Sequence, residues 1–440
     1  MIHFLLSAGF WVGVEYAPSL HSLEDGTPVL WLPRDGSERT TMIWSLARGN
    51  ASVENAEVLD LWVNGLALGS ATHPGSRWRW MVADLGAEIQ WGISPFRLWF
   101  WVDVPAGQEA QAVDALTDLL DGWRPPMGHV RRQIRAQKRD VSYRGIESVS
   151  EQLRQRWLGV GGCPVAPPLD WSDVSWMGQR GALIDAHRGI LNDGVPSLTI
   201  RGPHGPEELT ESLASLMWRG GLAVRLECSQ ESEAEAYDGQ VIVVDYPSSR
   251  VEIRAIQPLG METDVRQAEV IWSWLNTDSG DLAYALRGKS GLSYGHRHSV
   301  HSLPGLNVVE LSLQVDAGEA GEVLQNVERA MEHQVEKSIQ QAEWQLGFLQ
   351  EQRKEMMRTF DAPNEMSWWS WNLHLGRVGE GENPLIGALM WDVNQAERTL
   401  EELTSMERRT WLLVGDLSVI GPTLQAEGIE IDAVWDSENW

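Results

Sequence analysis

The chain repeats itself once, and a duplicated chain is constrained to fold as two copies of one topology. Asp25-Gly26 and the apolar run to Pro33 resemble Asp238-Gly239 and the run to Pro247, 213 residues later. Ala56-Glu57-Val58, followed by Trp62 and Asn64, resembles Ala268-Glu269-Val270 followed by Trp274 and Asn276, 212 residues later. Ala106-Gly107 resembles Ala317-Gly318 at an offset of 211, and Leu198 to Gly202 resembles Leu413 to Gly415, with the glycines 213 apart. Each match alone is weak. Four in order at near-constant spacing predict two homologous domains, 1–229 and 238–440, joined by an exposed linker at 230–237 that begins with the polar, acidic run Gln230 to Glu235.

Within each half, periodicity and punctuation alternate strands with helices. Strands are expected at Val29 to Leu32, Thr41 to Leu46, Phe96 to Val104 and Ser197 to Ile200. Helices are expected from Val53 to Leu66, Gln108 to Leu120, Met127 to Val141 and Glu147 to Trp157, with another opening at Gly205-Pro206-Glu207. The second half repeats strands at Val241 to Tyr246, Val251 to Ile256 and Val308 to Val315, and helices at Asp264 to Leu275 and from Gly321, with its long polar helix within Gln325 to Phe360. Strands interleaved with helices and few tight hairpins predict an α+β fold, each sheet carrying helices mainly on one face.

Composition narrows the function classes. With 43% hydrophobic and 22% charged residues, the 440-residue chain can bury a large core. Its 62 acidic against 35 basic residues leave a net charge of −27, which argues against nucleic acid as the main partner, because phosphate binding draws on clustered Lys and Arg. Cys163 and Cys228 lack metal-ligand spacing and read as inert thiols. Phe4 to Val14 has no cationic leader and is broken by Ser7, Gly9 and Gly13, and no apolar run reaches the length of a membrane span. A soluble chain is expected, cytoplasmic with the periplasm as the alternative. Trp368, Trp369 and Trp371 read as packing first and a ligand box second.

The most specific string is Leu286-Arg287-Gly288-Lys289-Ser290-Gly291-Leu292-Ser293-Tyr294. It resembles the Leu-Arg-x-Lys-x-Gly-Leu-x-Tyr signature in the C-terminal domain of the pitrilysin/insulinase peptidases, which include the mitochondrial processing peptidases. The resemblance implies two homologous α/β-sandwich domains forming a half-clamshell, in agreement with the duplication. It also implies roles: the residues matching Arg287 and Tyr294 hydrogen-bond a bound peptide's carbonyls, and the phenol stabilises the oxyanion. Arg287 and Tyr294 are seven residues apart with Gly291 between them, a spacing that can aim a guanidinium and a phenol the same way. Capping by Arg287 and strand filling by Tyr294 are the structural alternative. Gly291, Leu292, His296 and His298 are further substrate-binding candidates.

Active members of that family carry His-x-x-Glu-His on the first helix, with two histidines on zinc and the glutamate as base. None of the eleven histidines sits in such a string. The equivalent helix reads Val58-Leu59-Asp60-Leu61-Trp62-Val63-Asn64-Gly65, which puts Asp60, Val63 and Asn64 at the functional positions. Downstream, where the family supplies a third ligand, Met127 to Val141 is basic and holds one carboxylate, Asp140. His296, His298 and His301 form a cluster whose first two members would share a strand face, but without a third ligand at convincing spacing they are expected to be solvated or hydrogen-bonding histidines. Gly159-Val160-Gly161-Gly162 does not join a strand to a helix, so no phosphate loop is expected.

The expected function is therefore a non-catalytic, substrate-clamping subunit of a heterodimeric zinc peptidase. It has no cofactor of its own; zinc belongs to a homologous partner, and the substrate is a peptide, with the acidic balance favouring a basic one. The alternative is a structural scaffold of the same fold with no role in proteolysis.

Overall fold

The structure, a computed structural model, describes residues 18–47, 56–94, 96–124, 126–141, 145–160, 179–213, 239–260, 263–275, 282, 286, 293–338, 362–378, 393–405 and 408–436. The first half runs β1 (Ser19–Ser22), β2 (Pro28–Pro33), β3 (Arg39–Ala47), α1 (Ala56–Leu66), α2 (Ser76–Asp84), β4 (Glu88–Ile93), β5 (Arg97–Pro105), α3 (Glu109–Asp121), α4 (Met127–Val141), α5 (Ile146–Val160), α6 (Gln179–Asp193), β6 (Val195–Gly202) and α7 (Pro206–Leu213). The second runs β7 (Val241–Asp245), β8 (Arg250–Leu259), α8 (Val265–Leu275), β9 (Ser293–Leu303), β10 (Leu306–Asp316), a 3-10 turn (Ala317–Glu319), α9 (Ala320–Ser338), α10 (Ala362–Leu375), α11 (Val393–Thr404), β11 (Thr410–Gly415), α12 (Leu417–Ala426) and β12 (Ala433–Asp436).

Two six-stranded mixed sheets result, ordered β1-β2-β6-β3-β5-β4 and β12-β7-β11-β8-β10-β9. The orders superimpose strand for strand, so the duplication read from the sequence is a duplication of topology. Only the outer strand differs: β1 pairs antiparallel with β2, whereas β12 pairs parallel with β7. In the first sheet β3 is buried from Thr40 to Ala47. Only a mid-sheet strand covered on both faces can be so, and its Thr, Ile and Trp residues suit that place. On β5, Leu98, Phe100, Val102 and Val104 turn to the buried helix face, while Arg97, Trp99, Trp101 and Asp103 turn to the other, less covered one.

The helix face of each sheet holds the main core. In the second sheet Val251, Ile253, Val309, Leu311 and Leu313 pack with Ile271, Leu324, Leu400 and Leu424. Asp264 starts α8 by accepting the amides of Arg266 and Gln267 at 2.9 and 3.2 Å. Buried Glu109, in the first turn of α3, accepts from Thr40 on β3 at 2.6 Å and from the Gly107 amide at 2.7 Å, and pairs with His204 at 3.0 Å. Gly321 on α9 allows close approach to α12: a Cβ there would lie 2.2 Å from the Thr423 carbonyl oxygen. Backbone cannot yield as a side chain can, so Gly321→Ala is expected to destabilise the protein by about 1–3 kcal/mol in urea unfolding. An unchanged midpoint would show that the two helices do not approach this closely.

The compact units are not consecutive stretches of chain. The expected linker lies outside the described residues. One unit comprises Met1–Lys138, Leu169–Leu226 and Phe360–Ile386; the other comprises Arg139–Pro168, Glu227–Thr359 and Gly387–Trp440. Thus α10, from the second half, lies against β2, β3 and β6, while α5, from the first half, lies against β8 and β11, the equivalents of β3 and β6. The halves have exchanged equivalent helices. Each borrowed helix is pinned by charge: Glu365 of α10 meets Arg34 at 3.0 Å and Arg201 at 3.2 Å, and Arg154 of α5 meets Glu310 at 2.7 Å. The anticipated loop from Gly159 begins later, since Gly159 and Val160 close α5. The long polar helix is described as far as Ser338.

Candidate functional site

Helix α1 turns Val58, Leu61, Trp62 and Leu66 into the core. Trp62 donates its indole N–H to His187 Nδ1 on α6 at 2.9 Å. Burial pushes the His187 pKa down to about 4, against an opposing hydrogen bond to the Leu120 backbone. The imidazole is therefore neutral at pH 7, as accepting the Trp62 proton requires. Of the positions expected to match a zinc helix, Val63 is half-buried and uses its carbonyl to accept from Trp91 at 3.1 Å, and Asn64 is exposed. The Asp60 side chain lies outside the description. An isopropyl group and a carboxamide do not fit a zinc site that needs imidazoles and a base. Among the described residues no group of three or more His, Cys, Asp or Glu side chains could hold a metal ion.

The second group of candidates falls on β9, the outer strand of the second sheet. Arg287, Gly291 and Leu292 lie outside the described residues. Tyr294 is the second residue of β9, beside a register shift opposite Gln314 and Val315, and its side chain is likewise outside the description. Leu286, which opens the string, is buried in the core of its unit. His296 and His298 stand opposite Leu313 and Leu311 and share a face, their ring centroids 6.4 Å apart. His301 falls on the opposite face, where Nε2 lies 2.8 Å from Ser299 Oγ and 3.4 Å from Glu310 Oε2. The alternation of a strand separates it from the other two, so the three histidines do not converge.

A third feature was not anticipated. On the first sheet α10 packs chiefly on β2, β6 and β3 and, among the described residues, meets β5 through Arg97, Trp99 and Trp101. There a cleft of about 850 Å³ is floored by Ile43, Trp99 and Trp101, with Arg97, Asp103 and Arg201 on its walls. The indole of Trp99 lies across Gly92, where a Cβ would come within 2.5 Å of the ring. Arg39 holds Asp103 at 2.5 Å and Thr41 donates to it at 2.8 Å. Arg97 meets the Ser370 hydroxyl at 3.3 Å and stacks 4.7 Å over the Trp371 ring. Burial pushes its pKa down to about 10. The alternation Arg97-Leu-Trp99-Phe-Trp101-Val-Asp103 marks this polar and aromatic face in the sequence, though not the opening beside it.

No family model matches the sequence, and no curated protein matches it. Solved structures do. The peptidase M16 inactive domain from Pseudomonas fluorescens aligns at a TM-score of 0.74 and 14% identity over 91% of this chain and 98% of its own. A putative M16-like peptidase from Alicyclobacillus acidocaldarius aligns at 0.63 and 12% identity over 92% of this chain and 99% of its own. The periplasmic protease PqqL from Escherichia coli aligns at 0.67 and 11% identity, over 92% of this chain but only 47% of its own. The chain thus has the two-sheet α+β fold of M16, pitrilysin-type peptidase chains, the fold that the string ending at Tyr294 pointed to.

Proposed function

We propose that this chain is a non-catalytic subunit of a two-chain zinc peptidase, holding peptide for a homologous partner that carries the His-x-x-Glu-His helix. The observation that carries the reading is α1. The helix that would supply ligands and base offers Asp60, Val63 and Asn64 in place of His, Glu and His, and the valine at the position of the base cannot take a proton from water. The alignment to less than half of PqqL supports it further, since there the same fold is one part of a chain about twice as long.

In this reading the chain supplies hydrogen-bond donors. The Arg287 guanidinium holds a peptide carbonyl, and the Tyr294 phenol donates to the carbonyl oxygen on which negative charge develops. A donor so placed lowers the barrier by about 3 kcal/mol, because it is already oriented when the charge appears. The excess of carboxylates favours arrival of basic peptides.

The test compares the purified chain with the chain mixed with a His-x-x-Glu-His partner encoded beside it. Alone, it is expected to bind no stoichiometric zinc and to leave peptides intact; together, the pair cleaves. Digestion by the chain unaided would end the proposal. A complex whose cleavage is indifferent to substitution of Arg287 and Tyr294 would point to the scaffold alternative.

A further inference from the structure

Three arginines and three carboxylates line the cleft on the first sheet, Arg39, Arg97 and Arg201 with Glu38, Glu88 and Asp103, but the charges are not matched one to one. Glu365 is shared by two guanidiniums, those of Arg34 and Arg201. Asp103 is satisfied by Arg39 and Thr41. Among the described residues no carboxylate pairs with Arg97, whose contacts are a hydroxyl and an indole face. A buried guanidinium without a counter-ion is costly, and its fork of N–H groups matches a carboxylate. Beside it lie the half-buried indoles of Trp99 and Trp101, which pack in part against the cluster of Leu30, Leu32, Ile43, Met366, Trp369 and Leu373 and leave apolar surface lining the cleft. The other acids at the cleft, Glu38 and Glu88, are exposed on the rim. There, as for the chain's overall negative charge, salt screens repulsion beyond about 8 Å at physiological ionic strength, whereas a contact with Arg97 inside the cleft is screened much less.

We propose that this cleft is a subsite for a peptide carboxylate adjoining an aromatic or aliphatic side chain, with Arg97 as the ion-pairing group and Trp99 and Trp101 as the apolar floor. The peptide character of the ligand rests on the function proposed above; the charge and apolar preference rest on the cleft. The carboxylate comes from a side chain or from a C-terminus, and the two sources separate in the test.

Four synthetic peptides of one length and sequence, with Glu or Gln beside a Phe and with a free or amidated C-terminus, are titrated calorimetrically into the full chain without any partner. At least one carboxylate should strengthen binding by about tenfold over its neutral counterpart, as one charge-assisted contact provides. Sensitivity to Glu→Gln identifies the side chain as the source, and sensitivity to amidation identifies the terminus. Arg97→Gln should abolish the preference. Ser367→Glu, which puts a competing carboxylate on the exposed rim, should weaken binding of the preferred peptide. Four peptides that bind alike or fail to bind, or a preference that survives in folded Arg97→Gln, would overturn the assignment. The wild-type comparison decides even if Arg97→Gln misfolds. Failure here leaves the subunit proposal standing, since neither cleavage nor Arg287 and Tyr294 enter the measurement.

Discussion

In the assembled peptidase, Tyr294→Phe is expected to lower kcat by about 100- to 1000-fold, the loss typical of removing one oxyanion donor. KM should change little, because the phenol's hydrogen bond strengthens only as charge builds on the carbonyl oxygen. Arg287→Ala should behave differently. A guanidinium that grips a carbonyl remote from the reacting bond contributes to ground state and transition state alike, so KM rises along with any loss in kcat. Arg287→Lys should recover only part of it, since an ammonium lacks the planar fork. Steady-state kinetics on complexes checked for intact association by size exclusion measure both effects. Wild-type turnover in the Tyr294→Phe complex would remove the phenol from the oxyanion role.

The largest stability effect is expected at Glu310. Its carboxylate is buried on β10 and accepts from Arg254 of β8 at 2.6 Å and from Arg154 of the borrowed helix α5 at 2.7 Å. Arg254 also donates to Ser150 on α5 at 2.7 Å. Burial by itself would push the Glu310 pKa up. His301 and the two guanidiniums overcome that and hold it at about 2, with His301 the longer contact at 3.4 Å. Among the described residues, Glu310→Gln leaves the two guanidiniums with Glu151, 3.1 Å from each and 42% exposed, as their ion-pair partner. Breaking a buried pair on one side costs about 3–5 kcal/mol, and the residual help from Glu151 places this case toward the lower figure.

The pH dependence follows from the sign of that shift. The folded carboxyl binds its proton less readily than the unfolded one, so its contribution is complete above the unfolded pKa, near 4.5. It is lost as pH falls from there towards 2. Of roughly 3 kcal/mol at pH 7, about 2 kcal/mol should be gone by pH 3. Urea unfolding of wild type and Glu310→Gln at the two pH values isolates this, because the other carboxylates titrate in both proteins. A gap between them that stays constant from pH 7 to pH 3 would show that Glu310 is not the group held by the arginines.

The strands legible in the sequence were those whose chemistry alternates cleanly. Strand β5 reads aliphatic or Phe on one side and Arg, Trp or Asp on the other, and the helices α1, α3, α4 and α8 were expected within a few residues of where they lie. Strand β4 was missed because Glu-Ile-Gln-Trp-Gly-Ile carries a glycine where an indole from the neighbouring strand supplies the side chain. Helix α10 was missed because its apolar residues, Met366, Trp368, Trp369 and Leu373, accompany Trp371 and His374 on more than one side. Of the site residues, Val63 and Asn64 sit on the expected helix, and His296 and His298 share the expected strand face.

The amino-acid sequence alone determined that there would be two copies of one topology, because local periodicity and the constant offset are properties of the chain read in order. It also determined that the first helix carries no His-x-x-Glu-His string. Which sheet each copy's equivalent helix would cover was decided only by tertiary structure. An amphipathic helix specifies that one face must leave water, not which of two similar sheets receives it. That choice is accompanied here by charge pairs far apart in sequence, Glu365 with Arg34 and Arg201, and Arg154 with Glu310. The Arg97 cleft is a consequence of the same choice. It lies beside α10, which packs chiefly on β2, β6 and β3 of the six-stranded sheet and meets β5 at Arg97.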